Sequence, residues 1–221
     1  MKPIFPALAG LFLIGAAIPA VTSELGAVIG AGHSQSTRMQ AMQDGQSRVG
    51  LSTDSHKRVL ENCINTLSDP EIWAEDGVRE AVLSHCEEQA DRALAYAPSD
   101  SFIWWAKARL AVERSDIQTV FTDLERSRQT GPYEFWIGLR RLQISERLEI
   151  LQTDEQRAQQ DAELLALAQS ARGVQQLVSR YLSDEPFRDR IVSLIETLPP
   201  REQRRFLNNV RAATRAQDPA G

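Results

Sequence analysis

An all-α fold is predicted by three observations on the sequence. Apolar residues recur at helical spacing from Val59 to Ala213, prolines, glycines and capping residues interrupt them every few turns, and no stretch sustains the apolar–polar alternation of a half-buried strand. The 221 residues suffice for one core plus a tail or anchor.

Taken in order, the chain opens on MKPIFPALAGLFLIGAAIPAVTS, one lysine followed by an uncharged run from Pro3 to Ser23. A short positive end, an apolar stretch and small residues after a helix breaker are the layout of an export signal. Residues 1–31 are therefore read as a signal peptide or a membrane anchor. Val21-Thr22-Ser23 offers a cleavage site, while a helix over Ile4 to Val21 rises roughly 27 Å, close to the thickness of a hydrocarbon core. Both alternatives put the bulk of the chain outside the cytoplasm, since the basic charge precedes the run. The expected localisation is periplasmic, anchored in the inner membrane or soluble after cleavage. Residues 32–55 are rich in Gly, Ser and Gln and poor in large apolar groups, which predicts a flexible linker.

Residues 56–216 are read as one helical domain. Val59, Leu60, Cys63, Ile64 and Leu67 form the first buried face, with Asp54 or Ser55 as N-cap and Asp69-Pro70 as terminus. Val78, Val82, Cys86, Ala90, Ala93 and Ala97 form the second, which Pro98 stops. Paired tryptophans, Trp104-Trp105, sit in the third. Ile117, Val120, Phe121 and Leu124 mark a fourth helix that ends at Gly131-Pro132, and Trp136, Leu139 and Leu142 open a fifth. Beyond Asp154, Leu164, Leu165 and Ala168 lead to Gly173, and Val174, Leu177, Val178 and Tyr181 continue the pattern. Ser183-Asp184-Glu185-Pro186 is a helix start, with Ser183 or Asp184 as cap and Pro186 in the first turn. Phe187, Ile191, Leu194 and Leu198 line that helix, and Phe206, Leu207, Val210 and Ala213 the last one. Residues 217–221 are read as a disordered tail.

Pro98 and Pro132 lie 34 residues apart, the period of tetratricopeptide repeats. With Trp104 at the first-helix aromatic, Ala108 at the small position, and Val120, Leu124 and Ser127 on the second helix, the interval resembles that family. The resemblance covers roughly Glu75 to Leu142, with Ala93 and Pro98 matching the preceding second helix and Ala90 standing where a larger residue is usual. It implies stacked helical hairpins, an α-solenoid, in which each hairpin buries the face its neighbour leaves open. In that register Trp104 is core, whereas Trp105 lies at the edge of a concave surface; Trp136 falls two residues early for the next repeat. Trp105 and Trp136 are thus the aromatic candidates for partner contact.

Cys63 and Cys86 fall on the apolar stripes of consecutive helices. In an exported chain this predicts a Cys63–Cys86 disulfide; buried thiols are the plain alternative. A metal site with His56 and His85 matches no standard zinc spacing, so no metal is expected. His33 reads as a solvated loop residue. No Gly-rich phosphate loop, HExxH or Gly-x-Ser-x-Gly elbow is present, so no catalytic residue and no cofactor is assigned. The net charge of −5 argues against a nucleic-acid binder, and the 22 arginines among 25 basic residues read as base composition of a GC-rich bacterial genome. Arg204, Arg211 and Arg215, with Asn208, share one side of the last helix within about 60°, at 100° per residue, and form a basic face open to an anionic partner.

These features predict a non-enzymatic interaction or scaffold module with a protein partner. The whole layout, including the cysteines and the RYLSDEPFRDRI and LPPREQRRFL segments, resembles small exported repeat proteins that accompany bacterial surface-polysaccharide synthesis and export. That resemblance implies a partner in the inner-membrane polysaccharide machinery, with exopolysaccharide as the polymer class. The alternative is a glycan-binding or glycan-processing enzyme using Trp105, Trp136 and nearby carboxylates.

Overall fold

The protein is described here by a computed structural model at residues 17–18, 21–22, 24–25, 34–70, 72 and 76–217. The signal-or-anchor segment and His33 therefore lie largely outside the described residues, as do Asp218–Gly221. Among the described residues there is no strand, so the class is all-α. No helix among them is long and apolar enough to cross a membrane. The chain divides into two compact units, Met1–Thr130 and Gly131–Gly221, where the sequence reading placed one domain.

The first unit contains α1 (Gln35–Gln43), α2 (Thr53–Leu67), α3 (Asp76–Tyr96), α4 (Ser101–Glu113) and α5 (Ile117–Thr130). Helix α1 corrects the flexible-linker reading of residues 32–55. Ser34 starts it with a capping box: its Oγ accepts from the Thr37 backbone N–H at 3.2 Å, and Thr37 Oγ1 accepts from the Ser34 N–H at 3.1 Å. Ala41 and Met42 are buried where α1 packs on α2 and α3. The following strap, Ser47 to Gly50, is held by backbone bonds rather than apolar area. His85 Nε2 lies 2.7 Å from the Ser47 carbonyl, His56 Nε2 lies 3.1 Å from the Gly50 carbonyl, and Gln89 Oε1 accepts from the Val49 N–H. Composition predicted a linker because it registers burial and misses such polar closure.

Helix α2 is capped by Ser52, two or three residues earlier than Asp54 or Ser55, and its N-terminus receives a second acceptor. The Glu24 carboxylate accepts from the Leu51 and Ser52 N–H groups at 2.8 Å and from the Ser52 hydroxyl at 2.7 Å. These bonds, led by the hydroxyl, hold the Glu24 carboxyl below the usual range, as expected at a helix N-terminus. Cys63 of α2 and Cys86 of α3 are bonded, with Cα atoms 5.7 Å apart and both side chains fully buried.

Helix α4 lies against α2, α3 and α5. Asp100 caps it by accepting from the Phe102 N–H at 2.9 Å, and Arg79 of α3 donates to its carboxyl end at the Glu113 carbonyl, 2.8 Å. Arg79 and Arg109 also hold the buried Glu113 carboxylate. Ser115, with φ of 56°, turns the chain into α5, where Asp116 accepts from the Thr119 N–H at 3.1 Å as the cap. Ser127 Oγ then donates to the Ser101 carbonyl at 2.8 Å, tying the far end of α5 back to α4.

The second unit contains α6 (Phe135–Arg147), a short 3₁₀ turn, α7 (Asp154–Gln169), α8 (Ala171–Ser183), α9 (Glu185–Ile195) and α10 (Pro200–Gln217). Leu164, Leu167, Val174, Leu177, Ile191 and Phe206 are central to its core. Ser170 ends α7 and caps α8 by accepting from the Gly173 N–H at 2.8 Å. A Cβ at Gly173 would stand 2.4 Å from the Leu167 carbonyl oxygen, so this corner admits only glycine. Asp184 is the cap of α9, accepting from the Phe187 N–H at 3.1 Å, with Pro186 in the first turn.

The 23-residue span closed by Cys63–Cys86 sets the first prediction. Reduction, or Cys86→Ser, is expected to lower stability by roughly 2 to 5 kcal/mol, since a loop of this size contributes about 3 kcal/mol on the chain-entropy account. Urea denaturation of oxidised and reduced protein measures it. Superimposable curves would mean that the bond adds nothing to the packing of α2 on α3.

Candidate functional site

The aromatic candidates exchange roles in the structure. Trp105, expected at an accessible edge, is 6% exposed, its ring centroid 5.4 Å from that of Phe102. Trp104, expected in the core, is half-buried and donates through Nε1 to the Pro98 carbonyl at 2.8 Å. The physical reason is that three helices cover α4. Phe102, Ile103, Trp105 and Ala106 are all buried, and the side bearing Trp104 and Lys107 is left partly open. Trp105 is therefore withdrawn as a partner contact. Trp136 belongs to the second unit, half-buried, with the Arg140 guanidinium 5.4 Å from its ring centroid. Arg204, Arg211 and Arg215 are exposed on α10, opposite the buried Phe206.

Two buried carboxylates stand in contrast. In the second unit, Glu163 of α7 receives Arg141 of α6 in a bidentate pair, Nε to Oε2 at 2.8 Å and Nη2 to Oε1 at 2.7 Å. Gly138 makes the approach possible, because a Cβ there would stand 2.5 Å from Glu163 Oε1. This pair is fully matched, and it borders a cleft of about 280 Å³ that Tyr133, Phe135, Leu167 and Ser170 help to line.

In the first unit, Asp123 of α5 is 5% exposed, and its Oδ2 has no hydrogen-bond partner. It lines a cleft of about 260 Å³ between α3, α4 and α5. Helix α3 contributes Glu87 and Asp91, α4 contributes Lys107, Leu110 and Ala111, Arg114 follows α4, and α5 contributes Asp116 and Thr119. Lys107 Nζ is engaged by Asp91 Oδ1 at 2.5 Å, and Arg114 bridges Glu87, at 2.8 and 2.9 Å, to Glu80 at 2.6 Å. Both cations of the lining are thus committed to other carboxylates. Four carboxylates face two cations, and the one without a partner is the most buried.

Burial pushes the Asp123 carboxyl up to about 6, against a partial counter-pull from Lys107 and with Asp91 and Asp116 adding to the rise. Asp116 goes the other way, held below its usual value by the Thr119 hydroxyl and N–H. Two aspartates of one helix thus differ in charge state near pH 5. Among the described residues no group of three His, Cys, Asp or Glu side chains is placed to hold a metal ion. Sequence reading missed Asp123, although a signal existed: the acid sits three residues after Val120 and four before Ser127, on the stripe that faces α4.

Compared with known proteins, the chain matches no family, no curated sequence and no solved structure.

Two outcomes follow. Trp105→Ala is expected to cost about 3 to 5 kcal/mol, as large core truncations do, and Trp104→Ala less than half of that; equal losses in denaturant titrations would contradict the burial difference. Asp123 binds its proton more tightly folded than unfolded, so its contribution is complete below pH 4 and is lost as pH rises through 6, to the extent of roughly 3 kcal/mol. Asp123→Asn should therefore gain about 1 to 3 kcal/mol over the native protein at pH 7.5, with the gap closing toward pH 4. A variant that loses stability at pH 7.5 would show the ionised carboxylate to be partnered.

Proposed function

We propose that this protein is a non-enzymatic interaction module of tetratricopeptide-like build that works in the periplasm and docks a protein partner. The observation that carries the reading is the pairing of α2 to α5: each helix packs on the next, and α2 also packs on α4. That is the pattern expected when one helical hairpin stacks on another, and stacked hairpins serve as docking scaffolds. The cleft between α3, α4 and α5 supplies a recessed charged feature for such a partner. The Cys63–Cys86 bond suits an oxidising compartment and so supports export.

Within this class we place the protein as an accessory of exopolysaccharide or other surface-polysaccharide synthesis and export. Its partner would then belong to inner-membrane polysaccharide machinery, with residues 1–31 as anchor or signal. The layout of export segment, two cysteines and all-helical body supports this reading. A glycan-binding or glycan-processing role through Trp105 and Trp136 is less well supported, because Trp105 is buried.

Crosslinking in intact cells, followed by mass spectrometry, tests the proposal. Crosslinks from residues of the first unit to an inner-membrane glycosyltransferase or polymerase are expected. Turnover of a soluble oligosaccharide by the purified protein, without such crosslinks, would overturn it.

A further inference from the structure

We propose that the cleft of the first unit is a receptor for one basic side chain, an alkyl guanidinium or alkyl ammonium presented by the protein partner, with Asp123 as its counter-ion. This rests on the interaction-module reading and supplies the chemistry of that contact.

Asp123 carries an unmet demand for a hydrogen-bond donor. A buried carboxylate oxygen without a donor is costly, and a native structure keeps one where something else satisfies it. Asp123 Oδ2 has no protein donor, and the two cations that line the cleft are held elsewhere, Lys107 by Asp91 and Arg114 by Glu87 and Glu80. The contrast with Glu163, which receives both arms of Arg141, shows what a completed carboxylate looks like in the same chain.

The lining chooses among donors. Four carboxylates against two cations favour a positive ligand over a neutral one. No group of three potential ligands among the described residues suits a metal ion, which directs the choice to an organic cation carrying its own N–H donors. Leu110 and Ala111 give the cleft an apolar wall, which suits the aliphatic stem of a lysine or arginine better than a small ion. The volume of about 260 Å³ is large enough to admit one such side chain.

The charge state supports the same assignment. Below pH 6 Asp123 holds a proton, so the receptor is then largely neutralised; the groups facing it, Lys107 from α4, Asp91 from α3, and Asp116 and Arg126 from α5, are those that tune this value. A bound cation displaces that proton and is favoured as pH rises.

The test is a titration of the disulfide-bonded full-length protein with butylguanidinium and, separately, butylammonium, followed by NMR at pH 7.5 and pH 5. Sodium chloride at matched ionic strength is the control. Saturable shifts at the Lys107, Thr119 and Asp123 amides are expected, about tenfold weaker at pH 5. Asp123→Asn should weaken binding about tenfold at pH 7.5. The Asp123 side-chain carboxyl carbon gives a readout that needs no variant: its titration midpoint should move down when either probe is added. The stronger of the two probes identifies the partner side chain as arginine or lysine. Shifts equal to those of sodium chloride, or a carboxyl midpoint unmoved by both probes, would overturn the inference. Cell crosslinks retained alongside that result would leave the interaction module standing and remove only this cleft, whereas saturable cation binding without crosslinks would do the reverse.

Discussion

The first unit depends on how closely α4 can be approached from three sides. Its buried surface is built from Ala106, Ala108 and Ala111 beside Phe102, Ile103 and Trp105, and α3 buries Ala90 and Ala93. Small side chains bring helix backbones near one another but remove little apolar area from water, so hydrophobic burial alone gives such a seam limited strength. Polar and covalent devices make up the difference. The Cys63–Cys86 bond joins α2 to α3, the two arginines on Glu113 close one end of α4, and the Ser127 to Ser101 bond closes the other. The space above Leu110 and Ala111 remains as the cleft between α3, α4 and α5.

The second unit solves the problem of buried charge differently. Arg141 and Glu163 meet in fork-to-fork geometry because Gly138 removes the side chain that would separate them. Removing one member of such a pair strands the other, which is why this arrangement tolerates change poorly even where its net contribution to stability is small. Asp123 is the opposite case: a buried carboxylate that the fold surrounds and does not complete. Its elevated proton affinity follows from desolvation, the first of its causes, with neighbouring acids adding to it.

Much of the helical frame was legible in the sequence. The stops at Pro98 and Gly131-Pro132, the Asp184 cap with Pro186, and the facing cysteines all follow from local rules of backbone and capping chemistry. What escaped was set by three-dimensional context. Residues 32–55 read as a linker because they bury few apolar groups, yet His56, His85 and Gln89 hold the backbone at Gly50, Ser47 and Val49, the last two from a helix remote in sequence. The order of Trp104 and Trp105 was misassigned because the tetratricopeptide register puts its core aromatic at Trp104, whereas α4, covered on three sides, buries Trp105 and leaves Trp104 half-open. Asp123 was visible as an acid on an apolar stripe, but whether a partner completes it depends on side chains from α3 and α4 that spacing within α5 cannot place.

Stability and recognition then draw on one term in the first unit. Above pH 6 the folded state carries an ionised carboxylate in a poorly solvated position, and that unfavourable energy is present before any ligand arrives. A neutral ligand that merely fills the cleft leaves it in place. A cation with donors relieves it, so the affinity for a basic group includes energy that no neutral competitor can recover, and discrimination comes from the protein's own strain rather than from extra contacts. The matched Arg141–Glu163 pair has no such reserve, since its carboxylate already holds both donors. An incompletely partnered acid, retained at a cost to folding, is for this reason the feature of the chain best suited to choosing one partner over another.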